Sequence, residues 1–243
     1  MSTKYLNIDA NAKTRKGAKR GYMTGILYLA PATNSGHNVC SHPSPGCLQA
    51  CLYTAGRGRF DKCKNARINK TKALFENREA FVAQIKKDIE AGIRKAKRES
   101  KTFVIRLNGT SDLAFENFGI MQSFPEIQFY DYTKNPFRMT RFLSGGMPSN
   151  YHLTFSASEC NEKETQNVLA KGGNVAMVFR TKDEKEFPAS YWGYPVVSGD
   201  KDDLRFLDEK NVIVALKMKG KASKDLSGFV RDIPEAEILE AVA

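Results

Sequence analysis

Short apolar runs separated by segments of helical periodicity constrain this chain most. The runs cover residues 26–30, 103–107, 127–132, 151–155, 175–179, 195–197 and 212–216. Most are β-branched or aromatic and nearly continuous rather than alternating, as strands covered on both faces are. Between them, 63–76 and 78–99 read as helices, with Asn77 as the N-cap at the break. In the second helix Phe81, Ile85, Ile89 and Ile93 recur every fourth residue, one apolar stripe among lysines and arginines. Segments 113–123, 136–143 and 159–171 supply further helices; Ser158 is placed to cap the last, and Gly172-Gly173 to end it. The alternation predicts an α/β fold with a parallel sheet of six or seven strands, as a partial barrel or an open doubly wound sheet. No internal repeat or Pro/Ser-rich linker divides the chain. Residues 22–243 are therefore expected to form a single α/β domain, behind a basic arm at 1–21 that orders only where it docks.

Four of the five cysteines fall within 24 residues, directly behind the first apolar run: Cys40, Cys47, Cys51 and Cys63, spaced C-x6-C-x3-C-x11-C. Five cysteines in 243 residues do not make a disulfide scaffold, and the N-terminus lacks an apolar signal core. In a reducing compartment such a cluster is metal-binding or catalytic. Four thiolates suit zinc, copper(I) or an iron–sulfur cluster. Structural zinc sites use two short cysteine knuckles, and only Cys47 and Cys51 form a close pair here. Uneven spacing on a wrapping loop, turned by Pro43, Pro45 and Gly46, favours an iron–sulfur cluster, with zinc as the alternative. The stretch Gly56-Arg57-Gly58-Arg59 is placed to close over the sulfurs. His37 and His42 flank Cys40 and offer nitrogen ligands, whereas His152 and the isolated Cys160 read as structural residues.

In parallel α/β folds, the loops after the carboxyl ends of the strands build the site. Here the apolar runs lead into polar segments at 31–36, 108–112, 131–135, 156–159 and 180–182. A parallel sheet would gather these segments around the cysteine loop. Asn108, Ser111, Asp112, Asp131, Ser156 and Arg180 are then the candidates to line a substrate or small-molecule cofactor pocket. No Ser/His/Asp order and no phosphate-cradling glycine loop identifies a catalytic set.

The net charge is +11, from 38 Lys and Arg against 27 Asp and Glu, and it is uneven. Lys13, Arg15, Lys16, Lys19 and Arg20 lie in the arm, and 86–101 is a third basic stretch. Arg57, Arg59, Lys62, Lys64, Arg67, Lys70 and Lys72 surround Cys63. Solvated helix faces explain such charge, and so does a nucleic-acid or other polyanion partner. No helix-turn-helix, aromatic RNA-binding motif or Cys2His2 finger is present. No apolar run is long enough to span a bilayer, so no membrane partner is expected.

Asn11-Ala-Lys-Thr-Arg-Lys-Gly17, Gly25-Ile-Leu-Tyr-Leu-Ala-Pro31, Ser44-Pro-Gly-Cys-Leu-Gln-Ala-Cys51 and Val178-Phe-Arg-Thr-Lys182 with Pro195 resemble the phage "gene product 88" family over most of the chain. That resemblance implies a phage-encoded protein acting in the host cytoplasm and brings no activity with it. More distantly, the layout resembles the radical S-adenosylmethionine enzymes, in which a C-x3-C-x2-C loop after the first strand holds a [4Fe-4S] cluster. This likeness implies a partial (β/α)6 TIM-like barrel of parallel strands with the cysteine loop after the first strand. It further implies a [4Fe-4S] cluster on Cys40, Cys47 and Cys51, and S-adenosylmethionine as cofactor if one iron stays open. The polar Asn108-Gly109-Thr110 matches a glycine-rich contact of that superfamily. The spacing departs from it, and if Cys63 also ligates, no iron is left for the nucleotide. The expected function is iron–sulfur cluster binding on that scaffold. The alternative is a zinc- or cluster-stabilised basic protein that binds nucleic acid without catalysis; a host-protein partner is compatible with both.

Overall fold

The computed structural model describes residues 4–233. The first three residues of the basic arm, and 234–243 of the expected domain, lie outside them. Ten strands and six α-helices are found among the described residues. The strands are β1 Leu6–Ile8, β2 Tyr22–Leu27, β3 Thr102–Arg106, β4 Gln128–Thr133, β5 Tyr151–Ser156, β6 Val175–Phe179, β7 Ser190–Tyr191, β8 Tyr194–Ser198, β9 Ile213–Lys217 and β10 Val230–Arg231. The helices are α1 Ala12–Ala18, α2 Pro45–Gln49, α3 Asp61–Glu76, α4 Arg78–Arg98, α5 Pro136–Leu143 and α6 Glu162–Ala170.

Local chemistry accounts for the helix ends. Asn77 Oδ1 accepts from Ala80 N at 2.9 Å and starts α4, while Asn135 Oδ1 accepts from Phe137 N and Arg138 N ahead of Pro136. The stripe of α4 docks Phe81, Ile85 and Ile89 into the main core, with Ile93 partly buried at its edge. Gly92 lies where α4 crosses β3: a Cβ there would stand 2.2 Å from Phe103 Cζ, so only glycine permits this approach. The helix expected over 113–123 is instead two short 3-10 turns, Phe115–Asn117 and Met121–Ser123. Gly119 between them has φ +69°, which no right-handed helix accommodates.

The strands form one sheet in the order β1-β2-β3-β4-β5-β6-β9-β8-β7. β2 through β6, β9 and β8 run parallel; β1 against β2, and β7 against β8, run antiparallel. β10 pairs with the end of β6 at Val178 and Phe179, whose other side is taken by β9, so it fills the space beyond the end of β5.

This arrangement overturns the partial (β/α)6 barrel. The sheet is open and mixed, and no pairing among the described residues joins β1 to β7. The β/α alternation also fails repeatedly: 3-10 turns carry the chain from β3 to β4 and from β8 to the parallel β9, and the β7–β8 hairpin interrupts the path from β6 to β9. The cysteine loop follows the second strand, because Leu6–Ile8, inside the basic arm, is itself a strand. The arm continues as α1, and a Cβ at Gly17 would touch Leu204 at 3.4 Å.

Alternation along the strands separates two faces. Met23, Phe103, Ile105, Phe129, Leu153, Phe155 and Met177 join the large core with the residues of α4, α5 and α6. The opposite face carries Val104, Arg106, Tyr130, Tyr132, His152 and Thr154, covered by the segment around Leu204 and Phe206.

Candidate functional site

The carboxyl ends of the parallel strands meet the cysteine loop. Leaving β2, the chain is tied to α3 by Ala30 N, which donates to Thr71 Oγ1 at 2.9 Å. It then bridges to the end of β3, where Cys40 pairs with Asp112 as an isolated parallel bridge. Ser44 caps the short α2, accepting from Cys47 N at 3.1 Å. Glu159, in the loop after β5, clamps that turn: its carboxylate accepts from Ser44 Oγ at 2.7 Å and from Gly46 N at 2.6 Å. A Cβ at Gly46 would meet Ser227 Oγ at 2.2 Å and Phe229 Cβ at 2.6 Å. Glycine therefore lets the cysteine loop, the β5 loop and the 225–229 turn close on one another.

Cys40, Cys47, Cys51 and Cys63 are all half-buried free thiols, and Cys160 is exposed. Cys40, Cys47 and Cys51 lie within electrostatic reach of one another. Burial is the main cause that pushes the Cys40 thiol up to about 11, offset in part by Ala32 N, which donates to its sulfur at 3.3 Å. Burial raises Cys51 too, against the Tyr53 backbone N–H and the positive charges of Lys134 and Arg67. Cys63 sits one turn before Arg67 on α3 and acts on the same guanidinium as Cys51. Among the described residues no three Cys, His, Asp or Glu side chains enclose a volume fit for an ion. The thiols are thus near neighbours rather than a closed ligand shell.

Arg67 is the residue that sequence reasoning did not single out. Its guanidinium stacks over Tyr28 at 5.0 Å and Tyr53 at 5.5 Å. Its Nη1 is buried without a hydrogen-bond partner among the described residues. Burial lowers its pKa, and the groups that oppose this are Tyr28, Cys63, Tyr53 and Cys51, with no carboxylate among them. A half-buried cation near thiols, with no acidic partner among the described residues, fits a site that carries negative charge on sulfur. On donor chemistry, these residues fit a thiolate-bound soft ion or cluster.

The six other candidates divide into two sets. Asn108, Ser111, Asp112 and Asp131 bond mainly among themselves and to Arg138. Asn108 N donates to Asp131 Oδ1 at 2.7 Å, and Ser111 Oγ to Asn108 Oδ1 at 2.8 Å. Arg138 donates to Asp112 at 2.5 Å, to both oxygens of Glu116 at 2.9 and 2.8 Å, and to Tyr151 OH, which donates to Asp131. Burial pushes the Asp131 carboxyl up to about 7 against the nearby cations and hydrogen bonds. This network fixes the loops after β3 and β4. Ser156 accepts from Lys134 Nζ at 2.8 Å, and Arg180 pairs with Asp232.

The remaining histidines are engaged elsewhere. His37 stacks on Phe75 with ring centres 4.2 Å apart, and His42 Nδ1 is 2.9 Å from Ser41 Oγ. His152 is held near 4, chiefly by burial and then by Arg205, consistent with a structural residue.

No described helix is long and apolar enough to cross a membrane. A family model described as "Gene product 88" matches residues 4–233, and the chain belongs to that family, as its resemblance to it implies. No curated protein and no solved structure matches the chain.

Proposed function

We propose that this member of the gene product 88 family is a phage protein of the host cytoplasm that binds an iron–sulfur cluster. Its ligands are Cys40, Cys47 and Cys51, with Cys63 as the fourth thiol. The observation that carries this reading is Arg67, half-buried near Cys51 and Cys63 with its Nη1 enclosed and no carboxylate partner among the described residues. Thiols raised by burial are protonated in the metal-free protein; ligation would draw off their protons and leave sulfur charge for Arg67 to offset. Ligand binding would also bring together side chains that are neighbours in its absence. When bound, a cluster supplies one-electron chemistry, and the chain's own part is to hold it and tune its charge.

Anaerobic purification followed by iron, sulfide and zinc assays and a visible spectrum tests the assignment. Iron and sulfide in near-equal amounts, with absorbance lost in Cys47→Ala and Cys51→Ala, is the expected result. About one zinc without sulfide would replace the cluster by a structural zinc site. A protein with neither metal, whose spectrum both substitutions leave unchanged, would end the metal reading. Arg67→Gln is expected to keep the cluster and lower its reduction potential, because the oxidised, less negative form loses less from removal of the cation.

A further inference from the structure

Two basic segments distant in sequence meet beside the cysteines. The turn Leu52–Thr54 lies against the turn Gly220–Lys224, where a Cβ at Gly220 would stand 3.0 Å from Ala55 Cβ and 3.5 Å from Thr54 O. Ala50 and Ala222 share a small buried cluster behind that contact. From 28 to 76 the chain holds seven cations against two acids, and from 217 to 224 it holds four lysines and no acid. Arg59, Lys62, Lys221 and Lys224 are exposed, and none is ion-paired among the described residues. The nearby acids are turned to other uses. Asp61 pairs with Lys64 at 3.2 Å. Asp225 is buried, accepting from Ser227 Oγ at 2.6 Å and from Val230 N at 2.9 Å. Gly58 N donates to Ala55 O at 3.1 Å, so the turn Gly56–Arg59 continues from that contact, and Phe60 after it is 54% exposed, with the Arg59 guanidinium 5.6 Å from its ring centre.

We propose that this rim binds single-stranded nucleic acid, with phosphates on Arg59, Lys62, Lys221 and Lys224 and a base stacked on Phe60. Unpartnered cations attract phosphate whatever the sequence, and an exposed ring takes the face of any base. A duplex keeps its base faces covered, so the ring favours a single strand. An acidic protein would engage the cations alike, and it is the ring beside the guanidinium that tips the assignment to a nucleobase.

Fluorescence anisotropy with a labelled oligothymidylate, its duplex and heparin as competitor, across a potassium chloride series, tests the proposal. The single strand is expected to bind more tightly than the duplex, with affinity falling steeply as salt rises. The triple variant Arg59→Ser/Lys221→Ser/Lys224→Ser is expected to lose roughly tenfold or more, with a salt slope shallower by about 2. Phe60→Ala should lose about fivefold or more with its slope unchanged. Absence of binding at low salt, a preference for the duplex, or a triple variant that binds like the parent would overturn it. So would an unaffected Phe60→Ala protein displaced from the oligonucleotide by heparin, since the rim would then read charge alone. None of these substitutions touches a cysteine, so the result stands apart from the outcome of the metal assays.

Discussion

Over the middle of the sheet and around its cysteine-bearing end, the chain uses cations in opposite ways. On the sheet face, Arg106 meets Asp203 at 3.0 Å, and Arg205 meets Asp202 at 3.2 Å. Lys13 and Lys219 converge on Asp200 at 3.2 and 2.5 Å. The side chains of Asp200, Asp202 and Asp203 are at most 4% exposed, so these charges are internal parts of the fold. At the rim, Arg59, Lys62, Lys221 and Lys224 are exposed and make no ion pair among the described residues. A net charge of +11 therefore says little by itself about binding. What matters is which cations the fold has already matched, and the sheet face is matched while the rim is not.

Removing one partner of a buried pair should separate the regions most sharply. Arg106→Ala leaves Asp203 buried and unpaired and is expected to cost about 3–5 kcal/mol in urea unfolding. The double substitution Arg106→Met/Asp203→Leu should recover most of that loss, because neither charge is then stranded. A loss under about 1 kcal/mol for Arg106→Ala would mean the pair is solvated and the contrast with the rim is false.

Acid titration of stability should give a smaller signal with two limbs. Burial favours the neutral Asp200, but Lys13 and the hydrogen bonds from Lys219 and Lys217 N outweigh it and hold the carboxyl at about 2. Its contribution, roughly 2 kcal/mol, is complete above the unfolded carboxylate range and is lost as pH falls through about 2. Asp208 behaves the other way. Its Oδ2 lies 3.0 Å from Arg205 Nη1 without hydrogen-bond alignment, and burial pushes it up to about 6. Its folded form takes up the proton first, so stability falls as pH rises from about 4 through 6. Urea midpoints across pH should lose the lower limb in Asp200→Asn and the upper limb in Asp208→Asn. A profile unchanged by either substitution would place neither carboxylate in the buried network.

The smallest effect is expected at the rim. Lys221→Ser and Lys224→Ser should each change stability by less than about 0.5 kcal/mol, since no ion pair is broken. A loss above about 1 kcal/mol from either would show that the rim, too, is matched internally.

Legibility in the sequence followed the range of the forces involved. The start of α4 could be read because Asn77 acts on an amide three residues away. The docking stripe of α4 could be read from the spacing of Phe81, Ile85 and Ile89. The short β1 was hidden because Leu6–Ile8 has too few residues to show a period, and β10 because it forms only by filling the space beyond β5. In the site, the thiols were conspicuous by spacing alone. Arg67 resembled any other helix-surface arginine until the chain placed Tyr28, Tyr53 and the thiols around it.

By itself, then, the sequence determined the helices of the main core, the mostly parallel order of the central strands, and a thiol cluster behind one of them. These follow from side-chain periodicity and capping, which act within a few turns of chain. Tertiary structure decided the rest. The sheet stays open, with β1 and β7 at opposite edges and unpaired with each other among the described residues, and of the expected pocket residues Asn108, Ser111 and Asp131 bond to one another while Asp112 is held by Arg138. Which cations are matched depends on partners such as Arg106 and Asp203, 97 residues apart, or Arg20 and Asp202, 182 apart. Coulomb energy depends on separation in space, and separation in space is set by how the strands are ordered.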